Sequence, residues 1–135
     1  CAAPLLRYVK ALCAPGRVTA AVYTGHESTE TAHNGFLYHT QNTPFGWTCP
    51  GWEFSWGWSP VAVAWILHNI YEMYEYTCDK ALLETDIYPM LTEAADYFES
   101  LLADKDGRLV TVPCFSPEHG PRTAGNTYEQ SMLWQ

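Results

Sequence analysis

From Val61 to Tyr74 the sequence reads V-A-V-A-W-I-L-H-N-I-Y-E-M-Y, and its first half is apolar on nearly every side. A helix of that composition is buried on most sides, so other elements have to close around it. Ser59-Pro60 in front of it supplies a capping hydroxyl followed by proline at the first helical position. The helix is therefore expected to start there and run to about Tyr76, with Glu72 and Glu75 on its exposed part. His68 shares a face with Ala64 and Trp65 and is read as a hydrogen-bonded core histidine.

The remaining periodic stretches are helical too. Leu5, Tyr8, Val9 and Leu12 recur at helical spacing, predicting a short amphipathic helix ended by Pro15-Gly16, with a weaker one from Arg17 to Tyr23. Asp79 can cap a short helix from Lys80 to about Asp86, and a longer helix is expected from Tyr88 to Ala103 with Pro89 in its first turn. Asp104 to Gly107 reads as a turn, Leu109 to Val112 as a short strand, and Thr127 with Gln130 as a capping box starting a last helix. The sum is an all-α architecture of antiparallel helices with chemistry on the connections.

A chain of 135 residues is long enough for one domain with a core. The missing initiator Met, and a last helix reaching only to Gln135, read as a fragment truncated at both ends. A net charge of -8 with only 7 Lys and Arg argues against a nucleic-acid backbone or an anionic membrane surface as partner. No run approaches the roughly 18 apolar residues of a membrane span, and no signal peptide is visible. The cysteines at 1, 13, 49, 78 and 114 contain no CxxC pair and read as buried free thiols. His33, His39, His119 and Cys114 are metal ligands by type, but no pair among them has ligand spacing, so neither metal nor cofactor is expected.

Two stretches carry candidate chemistry. From about His26 to Ser59 no period is sustained over a length well beyond the usual connection of about 4 to 6 residues. This stretch holds His39, Gln41, Asn42, Trp47, Trp52, Trp56 and Trp58. Indole faces can stack on the C–H faces of a sugar ring, while His, Gln and Asn bond its hydroxyls. The second stretch, Cys114 to Pro121, carries Glu118 between two prolines, with Ser116 and His119 beside it. An apolar setting would raise the pKa of such an acid and make it a usable proton donor. Candidate residues are Glu118 for catalysis and His39, Asn42, Trp47, Trp58 and His119 for substrate.

The segments His39 to Trp47, Tyr74 to Asp79, Ile87 to Leu91 and Ser116 to Pro121, followed by Gly125 to Gln130, resemble one family. They are similar to the central part of the catalytic domain of glycoside hydrolase family 95, known chiefly as 1,2-α-L-fucosidases, from about Leu5 to the end. The resemblance implies an (α/α)6 barrel, of which the chain would be a part. It also implies hydrolysis with inversion and a glycan substrate, which points to a secreted or cell-surface setting. Glu118 takes the place of the family's general acid in its S-P-E motif, and His39 and Asn42 match a pocket segment. Commoner members read H-H-N-T-D there, whereas this chain has Thr40-Gln41 before Asn42 and Pro44 in place of the Asp. The family's general base, an Asp, belongs to a region outside this chain, so the fragment alone is expected to be inactive. Two other functions stay open: a non-catalytic carbohydrate-binding helical module, and another (α/α)6 activity such as α-L-galactosidase or a phosphorylase.

Overall fold

The apolar stripe of the first helix does not stop at Pro15. Leu6, Val9, Cys13, Gly16 and Ala20 continue at three- and four-residue spacing and are all buried, and one helix, α1, spans Ala2–Thr24 with Pro15 inside it. The expected break is overruled by packing. Leu37 donates its N–H to the Gly16 carbonyl at 3.0 Å, and a Cβ at Gly16 would stand 3.2 Å from Phe36 Cβ. Gly46, at φ +89°, likewise seats its backbone on Pro15. Pro15-Gly16 is thus the flat part of α1 on which a neighbouring segment lies, and that contact offsets the lost helical donor.

This computed structural model describes residues 2–24, 35–48, 57–116 and 120–135. Helix α2 spans Ala62–Thr77, followed by a short α3, Lys80–Leu82, a π-helical turn, Leu83–Ile87, and α4, Tyr88–Leu101. Strands β1, Leu102–Lys105, and β2, Arg108–Thr111, pair antiparallel, and α5 spans Thr127–Trp134. Among the described residues the architecture is mostly helical, and none of these helices is long and apolar enough to cross a membrane.

The core lies where α1, α2 and α4 meet. Leu12, Leu67, Ile70, Ile87 and Tyr97 fill it together with the extended run Phe36-Leu37-Tyr38. Gly35 opens that run at φ +70°, where a Cβ would stand 2.5 Å from Tyr97 Cβ and overlap the Glu93 carbonyl oxygen. Only glycine lets the backbone approach α4 this closely. Arg17 of α1 reaches the Glu93 carboxylate of α4, its Nη2 at 2.8 Å.

Several local expectations change. Ser59 does not cap α2: the helix starts after a turn at Pro60-Val61, and no side chain caps Val61. The Ser59 hydroxyl instead lies 3.1 Å from that of Tyr128. Helix α2 is covered less fully than its composition implies, because Trp65 is 52% exposed. His68 is only partly buried and lines a groove of about 300 Å³ with Leu91, Phe98 and Met132. Asp79 does cap, accepting from Leu82 N at 3.0 Å, but the helix continues through the π-helical turn into α4 without a break at Ile87. The Tyr88 N–H reaches back to Leu83, a wider turn that carries the chain into Pro89.

Helix α4 ends at Leu101, two residues before the expected Ala103, because Leu102 enters β1. Asp106 and Gly107 both have positive φ, the two-residue turn that closes a hairpin. The capping box at Thr127 is replaced by Asn126, whose Oδ1 accepts from Glu129 N at 2.8 Å. Gln130 instead binds β2, accepting from Thr111 N at 3.0 Å. Cys13 and Cys114 are buried free thiols as expected, whereas Cys78 is exposed at the end of α2 in the left-handed conformation, φ 54°.

Candidate functional site

Past its buried run, the first loop folds into a small hairpin. Asn42 and Thr48 form an antiparallel bridge, and Gly46 N donates to Thr43 O at 3.0 Å around a turn with Pro44 at its second position. Phe45 and Trp47 stand at the tip, 95% and 51% exposed. Asn42 is spent holding this hairpin to its surroundings: its Oδ1 accepts from the Tyr8 hydroxyl and its Nδ2 donates to His39 O at 2.8 Å.

His39 is fully buried and sits at the base of the hairpin. Its Nδ1 accepts the Ser59 N–H at 2.9 Å, so the neutral ring carries its hydrogen on Nε2. That donor is buried and has no partner among the described residues. Trp58 packs on the ring at 5.2 Å between centroids, and Tyr23 meets both edge-on. Trp58 is itself 6% exposed, and its indole N–H donates to Pro113 O at 3.1 Å. Burial pushes the His39 pKa down from 6.5 to about 4.

This shift has a measurable consequence. Between pH 6.5 and about 4 the unfolded ring binds a proton that the folded one refuses, so stability falls as pH is lowered through that window. A shift from 6.5 to about 4 corresponds to at most about 3 kcal/mol. His39→Asn offers a non-titrating acceptor to Ser59, so its stability should decline less than that of the wild type between pH 7 and 4. Parallel denaturation midpoints for the two proteins across that range would refute the assignment.

His39 and Asn42 line one cleft of about 380 Å³ with Leu5, Ala62, Trp65 and Asn69. Trp65 and Asn69 lie one turn apart on α2 and were hidden within an apolar run that reads as core. The i, i+4 spacing of an indole and an amide on one face was the available signal. Trp47 is not among the residues lining this cleft, and Trp58 lies behind His39 rather than in the opening.

The second loop is closed at its neck. Cys114 and Thr123 exchange two backbone hydrogen bonds of 2.9 Å, and Cys114 Sγ accepts the Asn126 N–H at 3.2 Å. Phe115 N donates to Glu129 Oε1 at 3.0 Å. Glu129 is fully buried, and burial raises its pKa, partly offset by the Phe115 N–H and the nearby Thr111 and Asn126 side chains. Sequence reasoning passed over it as one letter of a helix start. Glu118 and His119, with His33, Trp52 and Trp56, lie outside the described residues. Among the described residues no group of three or more His, Cys, Asp or Glu side chains could hold a metal ion.

Comparison with known proteins places the sequence in a family. The sequence model of the glycosyl hydrolase family 95 catalytic domain matches residues 1–135. The chain is similar to a probable alpha-fucosidase A of Aspergillus niger, 34% identical over 122 residues, 82% of this chain and 15% of that protein. It is also similar to alpha-L-fucosidase 2 of Arabidopsis thaliana, 35% identical over 121 residues, 88% of this chain and 14% of that protein. The chain therefore spans about 15% of the length of the curated relatives it matches. It belongs to the glycosyl hydrolase family 95 catalytic domain.

Proposed function

We propose that this chain is part of a glycoside hydrolase that releases terminal α-L-fucose from a 1,2-linked glycan, with inversion at the anomeric carbon. In this reading residues 1–135 form part of an (α/α)6 catalytic domain. Glu118 is the general acid: its carboxyl proton passes to the glycosidic oxygen as the bond from that oxygen to the anomeric carbon breaks. A water attacks the opposite face, giving its proton to a second carboxylate about 6.5 to 9.5 Å from the first, on a part of the protein outside this chain. No cofactor enters this chemistry.

The observation that carries the reading is the junction of the two candidate loops. The Trp58 indole that backs His39 bonds Pro113, next to the closed neck at Cys114 from which the Glu118 loop departs. The His39 Nε2–H supplies a donor for a sugar hydroxyl, Asn42 holds its segment in place, and Trp58 keeps the ring neutral by excluding water. Trp47 offers an exposed indole face to a more distal sugar, and His119 lies next to the acid in sequence.

The test is to incubate the complete protein carrying this chain with a 2-linked α-L-fucosyl oligosaccharide and to follow the product by proton NMR. β-L-fucose should appear first and mutarotate later. The α anomer appearing first would overturn inversion. Tight binding without release would favour a non-catalytic carbohydrate-binding module, and faster release of L-galactose from the matching 2-linked α-L-galactosyl oligosaccharide would move the substrate to the α-L-galactosidase alternative.

A further inference from the structure

We infer that Glu129 is a positioning residue for the proposed general acid, fixing the backbone at Phe115 and thereby the end of the loop that carries Glu118. This rests on the reading of Glu118 given above. Beyond the Cys114–Thr123 bridge the loop continues at Phe115, whose N–H is held by a side chain of α5 rather than by a partner strand.

The frame behind that side chain is rigid. Asn126 caps the first turn of α5 through Glu129 N at 2.8 Å, and Gln130 bonds β2 at Thr111 N and at Leu109 O, 3.0 and 3.3 Å away. Gly125 N adds a bond to Thr111 O at 3.0 Å. The Glu129 carboxylate therefore transmits the position of the β2–α5 unit to the loop.

Stability alone does not explain an acid here. Glu129 is fully buried, Oε2 has no hydrogen-bond partner among the described residues, and burial raises its pKa even with the Phe115 N–H and the Thr111 and Asn126 side chains nearby. Such groups disfavour folding unless satisfied, and they concentrate where structure serves chemistry. A misplacement of about 1 Å in a reacting group can lower a rate about 100-fold, so one backbone bond three residues from the acid has leverage.

The experiment uses the complete protein with Glu129→Leu, which keeps volume and removes the acceptor, and Glu129→Gln, which keeps the acceptor. Each is assayed on a 2-linked fucosyl oligosaccharide and on 2,4-dinitrophenyl α-L-fucoside, whose departing group needs little protonation. Glu129→Leu should lower kcat on the oligosaccharide about 10- to 100-fold, with KM within a few-fold and a much smaller loss on the aryl fucoside. Glu129→Gln should stay near wild type, and Glu129→Leu added to Glu118→Gln should cost little more.

An equal loss on both substrates would mean general damage and overturn the inference. A full additional loss in the double variant would do the same. If the Leu variant does not fold, Glu129→Gln decides: a folded Gln variant that shows the leaving-group-dependent loss would mean that the acceptor to Phe115 is not what matters. Wild-type activity in Glu118→Gln alone would instead locate the fault in the choice of acid, and the positioning role would fall with it.

Discussion

Glu118→Gln in the complete protein is expected to lower kcat on a 2-linked α-L-fucosyl oligosaccharide by about 10² to 10⁴, the usual contribution of a positioned proton donor. Glutamine keeps the size of the side chain and a hydrogen-bonding group for the glycosidic oxygen, but it has no proton to release. KM should therefore change by only a few-fold, because in the proposed reading substrate binding is shared among residues such as His39 that the substitution leaves alone. The pH profile gives a second criterion. A general acid works only while protonated, so the alkaline limb of the wild-type kcat/KM curve should follow its titration and disappear in the variant. An unchanged rate, or an unchanged alkaline limb on a reduced rate, would move the proton donor to another residue.

Gly35→Ala should cost at least about 3 kcal/mol of stability, at the severe end for a single added methyl group. Two penalties combine at this position. The backbone is held at φ +70°, where a side chain clashes with its own carbonyl at a cost of about 1 to 2 kcal/mol. The added Cβ would also stand 2.5 Å from Tyr97 Cβ and 2.7 Å from its backbone nitrogen. Those atoms belong to the middle of α4 and cannot yield without moving the helix. Gly107→Ala separates the two penalties, since Gly107 has φ +78° but no heavy atom within 4 Å of a Cβ. The Gly107 variant should lose only about 1 kcal/mol, as read from denaturation midpoints. Equal losses would mean that the close approach to α4 is absent in solution.

Both contacts at Gly35 and Pro15-Gly16 show why part of this fold could not be read along the chain. The periodicity of Leu5, Tyr8, Val9 and Leu12 was visible, but Pro15-Gly16 carried a strong local stop signal and hid the buried face from Leu6 to Ala20. The signal was set aside by segment 35–39 lying across it. Ser59 was misread for a related reason: its residue type suits a cap, but its N–H serves His39 and its hydroxyl meets Tyr128. Glu129 and Trp65 were passed over because a residue near a helix start and an indole in an apolar run have common, plain explanations until a loop or a cleft is placed beside them.

The sequence by itself determined the features whose energetics are local. It placed the cap at Asp79, the turn before Leu109 and the mostly helical character, because each depends on residues within a few positions of one another, and the order of its motifs from His39 to Gln130 carried the family. Only the tertiary structure decided which glycine must stay a glycine, which histidine nitrogen is left with a hydrogen to offer, and which buried carboxylate holds the neck of the second loop. Those outcomes depend on burial and on partners 14 to 62 positions away, from Phe115 and Glu129 to Gly35 and Tyr97. Desolvation and steric contact act through space, and spacing along a chain does not record them.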